Sequence, residues 1–156
     1  MKRTIAIACG GDTSEFEVSL RSAQGIYSFI DKEKYTLYIV EMHGPDWHVQ
    51  LPDGTKAPVD RNDFSFRLGG EKVVFDFVYI TIHGTPGEDG RLQGYLDMLH
   101  IPYSCCGVLA AALTYDKFAC NQYLKAFGVR IADSLLLRQG PVSYTHLRAH
   151  ETLSDL

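Results

Sequence analysis

The chain has 156 residues, a length that suits one domain and buries roughly two-thirds of the surface its unfolded form would expose. Hydrophobic residues make up 46% and charged residues 22%, the balance of a packed globular protein and not of a disordered acidic tail. Lys and Arg number 15 against 19 Asp and Glu; the resulting net charge of −4 removes the broad positive field that nucleic-acid binding needs, and no apolar run approaches the ~20 residues of a membrane helix.

Thr4–Cys9 is short, apolar and rich in β-branched residues, and it stops at Gly10-Gly11, so it reads as a buried strand and not as an export signal. Ser14 and Glu17 fit a capping box, with Ser14 as N-cap. Val18, Ala23, Ile26, Tyr27 and Ile30 then recur at helical spacing as far as Asp31. Tyr35–Glu41 alternates and reads as a second strand. Strand, glycine turn, helix and strand make a βαβ unit with a right-handed crossover.

Trp47-His48-Val49 and Lys56-Ala57-Pro58-Val59 flank Leu51-Pro52-Asp53-Gly54, which predicts a hairpin. The weakly patterned stretch from there to Gly70 reads as loop. Val73–Phe75 and Phe77–Ile82 are β-rich, the second as the central strand. Leu92–Leu99, Val108–Leu113 and Asp116–Phe127 read as helices, the last closed by Gly128 at C′. Ile101-Pro102-Tyr103 is a short extended piece between them, and Ala132–Leu137 reads as one more strand. The alternation predicts an α/β fold, a three-layer α/β/α domain on a mainly parallel sheet. Pro141–Leu156 has no clean period. His146 and His150 stand four apart there, without a third ligand close by, so no metal site is assigned.

Cys9, Cys105, Cys106 and Cys120 are too few and too irregularly spaced for a disulfide framework, and no C-x-x-C occurs. They read as reduced thiols packed as small hydrophobes in a cytoplasmic protein.

Two strand-to-helix loops can carry chemistry. Gly10-Gly11-Asp12-Thr13-Ser14-Glu15 is neither a G-x-G-x-x-G fingerprint nor a phosphate loop. A helix N-terminus keeps Glu15 ionised. That charge suits a substrate ammonium group, or simply a solvated first turn. His83-Gly84-Thr85-Pro86-Gly87-Glu88-Asp89-Gly90-Arg91-Leu92-Gln93-Gly94 follows a strand and opens a helix, the place where α/β folds bind ligands. Gly84, Gly87 and Gly90 let backbone amides approach a ligand closely. Taken singly, His83 reads as a structural loop histidine and Glu88-Asp89 as helix-capping acids.

Together the two loops resemble the amino-terminal domain of D-alanine–D-alanine ligases. The motif H-G-x-x-G-E-D-G-x-hydrophobic-Q-G is met at every fixed position by His83 through Gly94. The early segment G-G-x-S-x-E-x-E-V-S-L is met closely by Gly10 through Leu20, with the Ser/Thr placement shifted. Pro102-Tyr103, Gly107 and Asp116-Lys117 fall where that family has its P-Y-x-G-x-G and D-K signals. Ser104-Cys105-Cys106-Gly107 departs from the commoner threonine-glycine form, and Asn121 stands where many members carry a lysine. The likeness runs from about Lys2 to Gln139 and is lost at Pro141.

The resemblance implies an ATP-grasp carboxylate–amine ligase that joins two D-alanines through an acyl phosphate. In it Glu15 and His83 are the catalytic residues: Glu15 holds the ammonium of the first D-alanine and His83 stands near its carboxylate. Val18 lies beside the methyl group, Gly84 shapes the pocket, and Lys117 reaches ATP phosphate. It further implies Mg²⁺ held by residues beyond this chain, a cytoplasmic homodimer, and a layout of residues 1–114 as the amino-terminal domain, 115–140 as the start of a central domain and 141–156 as an unlike tail. Family members are longer, so the expectation is an incomplete copy without activity of its own. A D-alanine–D-lactate ligase relative and a non-catalytic α/β binding module are the alternatives.

Overall fold

The computed structural model describes residues 2–136; the expectations placed on residues 137–156, including the His146 and His150 pair, lie outside them. In chain order the elements are β1 (Arg3–Gly10), α1 (Phe16–Phe29), β2 (Tyr35–His43), β3 (Asp46–Gln50), β4 (Lys56–Asp60), β5 (Ser65–Leu68), β6 (Glu71–Val74), β7 (Phe77–Ile80), α2 (Arg91–Met98), α3 (Val108–Tyr115) and α4 (Lys117–Ala126). Seven strands form one sheet in the order β6-β5-β4-β3-β2-β1-β7.

β1 is the hinge of the architecture. Its side chains alternate, so Ile7 and Cys9 join Ala23 of α1 and Ile39 in one core, while Ala6 and Ala8 face a second core with Val40, Val78, Leu92 and Leu96. Helix α1 covers one face and α2 the other, which is the expected three-layer α/β/α arrangement. Leu92 and Leu96 are almost fully buried, and each contributes about 1.5–3 kcal/mol by leaving water.

The sheet divides into two halves. β2, β1 and β7 run parallel, with Ala6 level with Tyr38 on one side and with Val78 on the other. From β2 outward, β3, β4, β5 and β6 form an antiparallel meander. The sheet is therefore mixed, and its parallel part is confined to the half that carries both chemical loops. On the meander side the second core is aromatic: Phe66 stacks on Phe75 at 5.8 Å and Trp47 meets Tyr95 of α2 edge-on at 5.4 Å.

Five expectations need correction. β7 (Phe77–Ile80), expected as the central strand, ends the sheet order, because the extended piece at Tyr103 makes an isolated bridge to Val78 and not a further ladder. The stretch before Gly70 contains β5, because Gly69 and Gly70 (φ +59° and +88°) turn the chain so that Leu68 pairs with Glu71. Ser14 does not cap α1: Glu15 occupies the N-cap without a side-chain bond, and the Thr13 hydroxyl oxygen accepts from the Glu15 amide at 3.3 Å instead. Residues 131–136 form no strand, since nothing in the sheet lies beside them to supply a ladder. Of the four free cysteines only Cys9 is packed as a hydrophobe; Cys105 and Cys106 are exposed and Cys120 is half-buried.

Candidate active site

The site begins where β1 ends. Gly10 and Gly11 have φ of +96° and +103°, and a side chain on either would collide. A Cβ on Gly10 would lie 2.4 Å from the Met42 carbonyl oxygen, and one on Gly11 would lie 2.7 Å from Ile82. Glycine is required here because the first loop is pressed between β2 and the chain leaving β7.

Backbone and hydroxyl groups then stitch the two loops together. The Asp12 amide donates to the Thr85 carbonyl at 2.9 Å, and the Thr13 hydroxyl donates to the His83 carbonyl at 3.0 Å. Gly84 (φ +74°) packs directly on Thr13, leaving no room for a Cβ. Beneath them Ser19, fully buried, accepts from the Gly10 amide at 2.9 Å and donates to the Thr81 carbonyl at 2.8 Å. One side chain of α1 thus ties the end of β1 to the chain leaving β7.

The second loop holds itself. The Gly84 amide donates to the Glu88 carboxylate at 2.7 Å, and the Thr85 hydroxyl donates to Asp89 at 2.8 Å. Asp89 also accepts from the Arg91 amide at 3.1 Å, closing the start of α2. Gln93, almost fully buried, donates to the Gly87 carbonyl at 2.6 Å. The pair expected as helix-capping acids is mainly committed to loop shape: Glu88 bonds inside the loop, Asp89 alone reaches an amide of α2, and Gly90 stands at the N-cap without a side-chain bond.

His83 is half-buried beside a cleft of about 350 Å³ that is also bordered by Ser22 and Ile26 of α1, Thr81, Glu88 and Cys105. Ser22 donates to the Val18 carbonyl at 3.0 Å, so Val18, 41% exposed, lies one helical turn nearer the N-terminus of α1. Glu15, exposed at the N-cap, is nearer still. Glu15 and Val18 do not border the cleft itself; they stand along the helix that does. Gly84 is buried in the loop seam.

Lys117 opens α4, where the Asp116 carboxylate caps the helix by accepting from the Ala119 amide at 2.9 Å. Lys117 is exposed and borders a second cleft of about 470 Å³ with Gln93, Cys105, Cys106 and Thr114. Gly87, Glu88 and Cys105 border both clefts, which therefore adjoin. Sequence reading did not single out Ser19, Thr13 or Gln93. The signal for Ser19 was a hydroxyl at an inward position of an amphipathic helix, which requires a partner.

Among the described residues there is no group of three or more His, Cys, Asp or Glu side chains able to hold a metal ion. The acids nearest the clefts are already engaged, so these residues do not form a site for Mg²⁺. No helix among them is long and apolar enough to cross a membrane.

The family whose pattern matches is described as D-ala D-ala ligase N-terminus, over residues 4–106. The chain belongs to this family. It is 87% identical over 140 residues to the D-alanine–D-alanine ligase of Bacteroides thetaiotaomicron and 84% identical over 140 residues to that of Bacteroides fragilis, strain YCH46. In both cases the match covers 90% of this chain and 43% of the relative, so the chain spans less than half the length of the relatives it resembles. Among solved structures, D-alanyl-alanine synthetase A of Vibrio cholerae superposes with a TM-score of 0.77 at 32% identity, covering 90% of this chain and 42% of that one. The D-alanine–D-alanine ligase of Bacillus anthracis complexed with ATP gives 0.64 at 25% identity, with 92% and 43% covered.

Proposed function

We propose that this chain supplies the first-substrate half of an ATP-dependent D-alanine–D-alanine ligase. The observation that supports the reading is the seam between the two family loops, in which Thr13, Gly84 and Ser19 tie the start of α1, which carries Glu15 and Val18, to the loop that carries His83. In this reading Glu15 binds the ammonium of the first D-alanine, Val18 lies against its methyl group, and His83 with the Gly84 loop addresses its carboxylate. Such preorganisation is what carboxylate activation demands, because the reacting oxygen must be held in line with the transferred phosphoryl group. ATP phosphorylates that carboxylate, and the amine of the second D-alanine displaces phosphate to form the dipeptide.

Lys117 is placed on ATP phosphate, a role supported by its exposure at the mouth of the adjoining cleft. Residues 1–114 form the amino-terminal unit and residues 115–140 begin a second one. Helix α4 supports this division, since none of its residues is buried. The same reading makes the ligase a cytoplasmic homodimer. The 156-residue chain alone binds D-alanine without turning over ATP, in keeping with the share of its relatives that it spans.

The test is calorimetric titration of the chain with D-alanine and with L-alanine, alongside an assay of phosphate release with ATP and Mg²⁺. Saturable binding of the D-enantiomer without turnover supports the proposal. Equal response to both enantiomers, or phosphate release above a no-protein control, refutes it.

A further inference from the structure

The second cleft carries a feature that the ligase reading leaves unused. Cys105 and Cys106 are adjacent, free and exposed, and both border this one cleft. In an extended strand, neighbouring side chains point to opposite sides. Here the chain has left its bridge at Tyr103 and bends at Ser104 and Cys105 before α3, which lets consecutive thiols share a cavity.

Beside them lies a buried acceptor without a donor. Gln93 is 1% exposed, its Nε2 donates to the Gly87 carbonyl at 2.6 Å and to the Cys105 sulfur at 3.1 Å, and its Oε1 has no partner. The amide cannot be turned round to satisfy that oxygen, because the Gly87 carbonyl only accepts. The site thus offers two soft sulfur ligands and one hard acceptor that lacks a hydrogen.

We propose that Cys105 and Cys106 form a dithiol site for trivalent arsenic compounds with at least two exchangeable As–O bonds. With arsenous acid, two As–O bonds break and two As–S bonds form, and the thiol protons leave with the oxygens as two waters. Arsenic stays trivalent, so no oxidant or reductant takes part. One hydroxyl remains on arsenic, a donor of the kind the Gln93 oxygen lacks. The condensation consumes neutral thiols. That matches Cys105, whose thiol, exposed but partly desolvated where it meets Gln93, is pushed up by that desolvation against the lowering effect of the Gln93 bond. Cys9 is unsuitable, being buried with no second thiol beside it. The site stands whether or not Lys117 meets nucleotide.

The experiment treats the full 156-residue chain with phenylarsine oxide and reads the adduct by intact mass and peptide mapping. One phenylarsenic per chain is expected, bridging Cys105 and Cys106, retained against excess monothiol and released by 2,3-dimercaptopropanol. Closing a chelate through the second thiol strengthens binding by about 10²–10⁴-fold, so Cys105→Ser and Cys106→Ser should each weaken it by that factor, while Cys120→Ser should not. Both serines replace exposed residues, and unchanged melting curves establish that the variants fold. Cys106→Ser leaves the Gln93 contact intact and tests the dithiol even if Cys105→Ser perturbs the loop. Retention of the adduct by either single variant, its mapping to Cys9 or Cys120, or displacement from the unaltered chain by monothiol overturns the proposal.

Discussion

Ser19→Ala is the sharpest test of the seam. The substitution removes one oxygen from a fully buried position on α1 and adds no bulk, so shape is nearly preserved. Two bonds go with it, from the Gly10 amide at 2.9 Å and to the Thr81 carbonyl at 2.8 Å. Leaving buried backbone groups unpaired costs about 1–3 kcal/mol, more than the net worth of an ordinary exposed bond. For a chain of this size, 1 kcal/mol moves the melting temperature by roughly 2–4 °C, so a fall of about 4–8 °C is expected at the middle of that range. Urea unfolding should show a lower midpoint at unchanged slope, because the native surface is the same. Binding of D-alanine should weaken as well, since both chemical loops lose their common anchor. A loss below about 0.5 kcal/mol, within the ordinary range of surface substitutions, would refute the claim that Ser19 holds the two loops.

Glu15→Gln should lower affinity for D-alanine roughly tenfold in a calorimetric titration, as a neutral amide gives up a charge-assisted bond, with the upper range discounted for the exposure of Glu15. Gly84→Ala should destabilise by about 1–3 kcal/mol, because it forces a left-handed φ on alanine and drives a Cβ into the Thr13 methyl; Thr13→Ser, which deletes that methyl and keeps the hydroxyl, should restore part of the loss in a double-mutant cycle. Burial, then the nearby Glu41 charge, push the Cys9 thiol up to about 12 from 9.0. The folded form therefore keeps its proton where the unfolded form has lost it. Stability is fully present below pH 9 and falls as pH rises toward 12, and Cys9→Ala should flatten that fall by about one proton in a pH series of urea midpoints.

The parallel half of the fold is legible in the sequence because its signals are local and redundant. Ile5–Cys9 is apolar throughout and ends at Gly10-Gly11, and Tyr35–Glu41 is built around the β-rich run Leu37-Tyr38-Ile39-Val40. The meander is less legible. β5 has four residues, preceded by a run of Asp and Asn, and its buried Phe66 earns its place by packing on Tyr38 and Phe75, which are distant in sequence. The Gly69-Gly70 pair was the available clue, a two-residue turn with glycines at both positive-φ positions. The cap of α1 was misread for a different reason. Ser14 has the right side chain, but the helix starts one residue later than the capping box needs, and Thr13 is already committed across the seam to His83. Side-chain partners that lie some seventy residues away leave no periodic trace.

The division of the sheet bears on why this site is rigid. A ligand site at parallel strand ends depends on loops, which are the least constrained parts of a fold. Here each loop is held three ways: by glycines that admit no side chain, by backbone bonds between the loops, and by hydroxyls from Thr13 and Ser19. The meander adds stability through the aromatic part of a core that it shares with β1, β7 and α2, and it carries none of the catalytic or substrate-binding residues assigned in the proposed function. Its nearest polar cluster, Glu41 with His48, Gln50 and Lys56, is an ion pair network in which burial raises the Glu41 carboxyl but the Gln50, His48 and Lys56 contacts outweigh it and hold it low. Substitutions there, such as Gln50→Leu, remove a bond to ionised Glu41 and should therefore lower stability at neutral pH, with the difference from the unaltered chain shrinking as pH falls and Glu41 protonates, and leave D-alanine binding unchanged. A loss of binding on that side, in a variant that still melts cooperatively, would mean that the meander reaches the site by a route other than the seam.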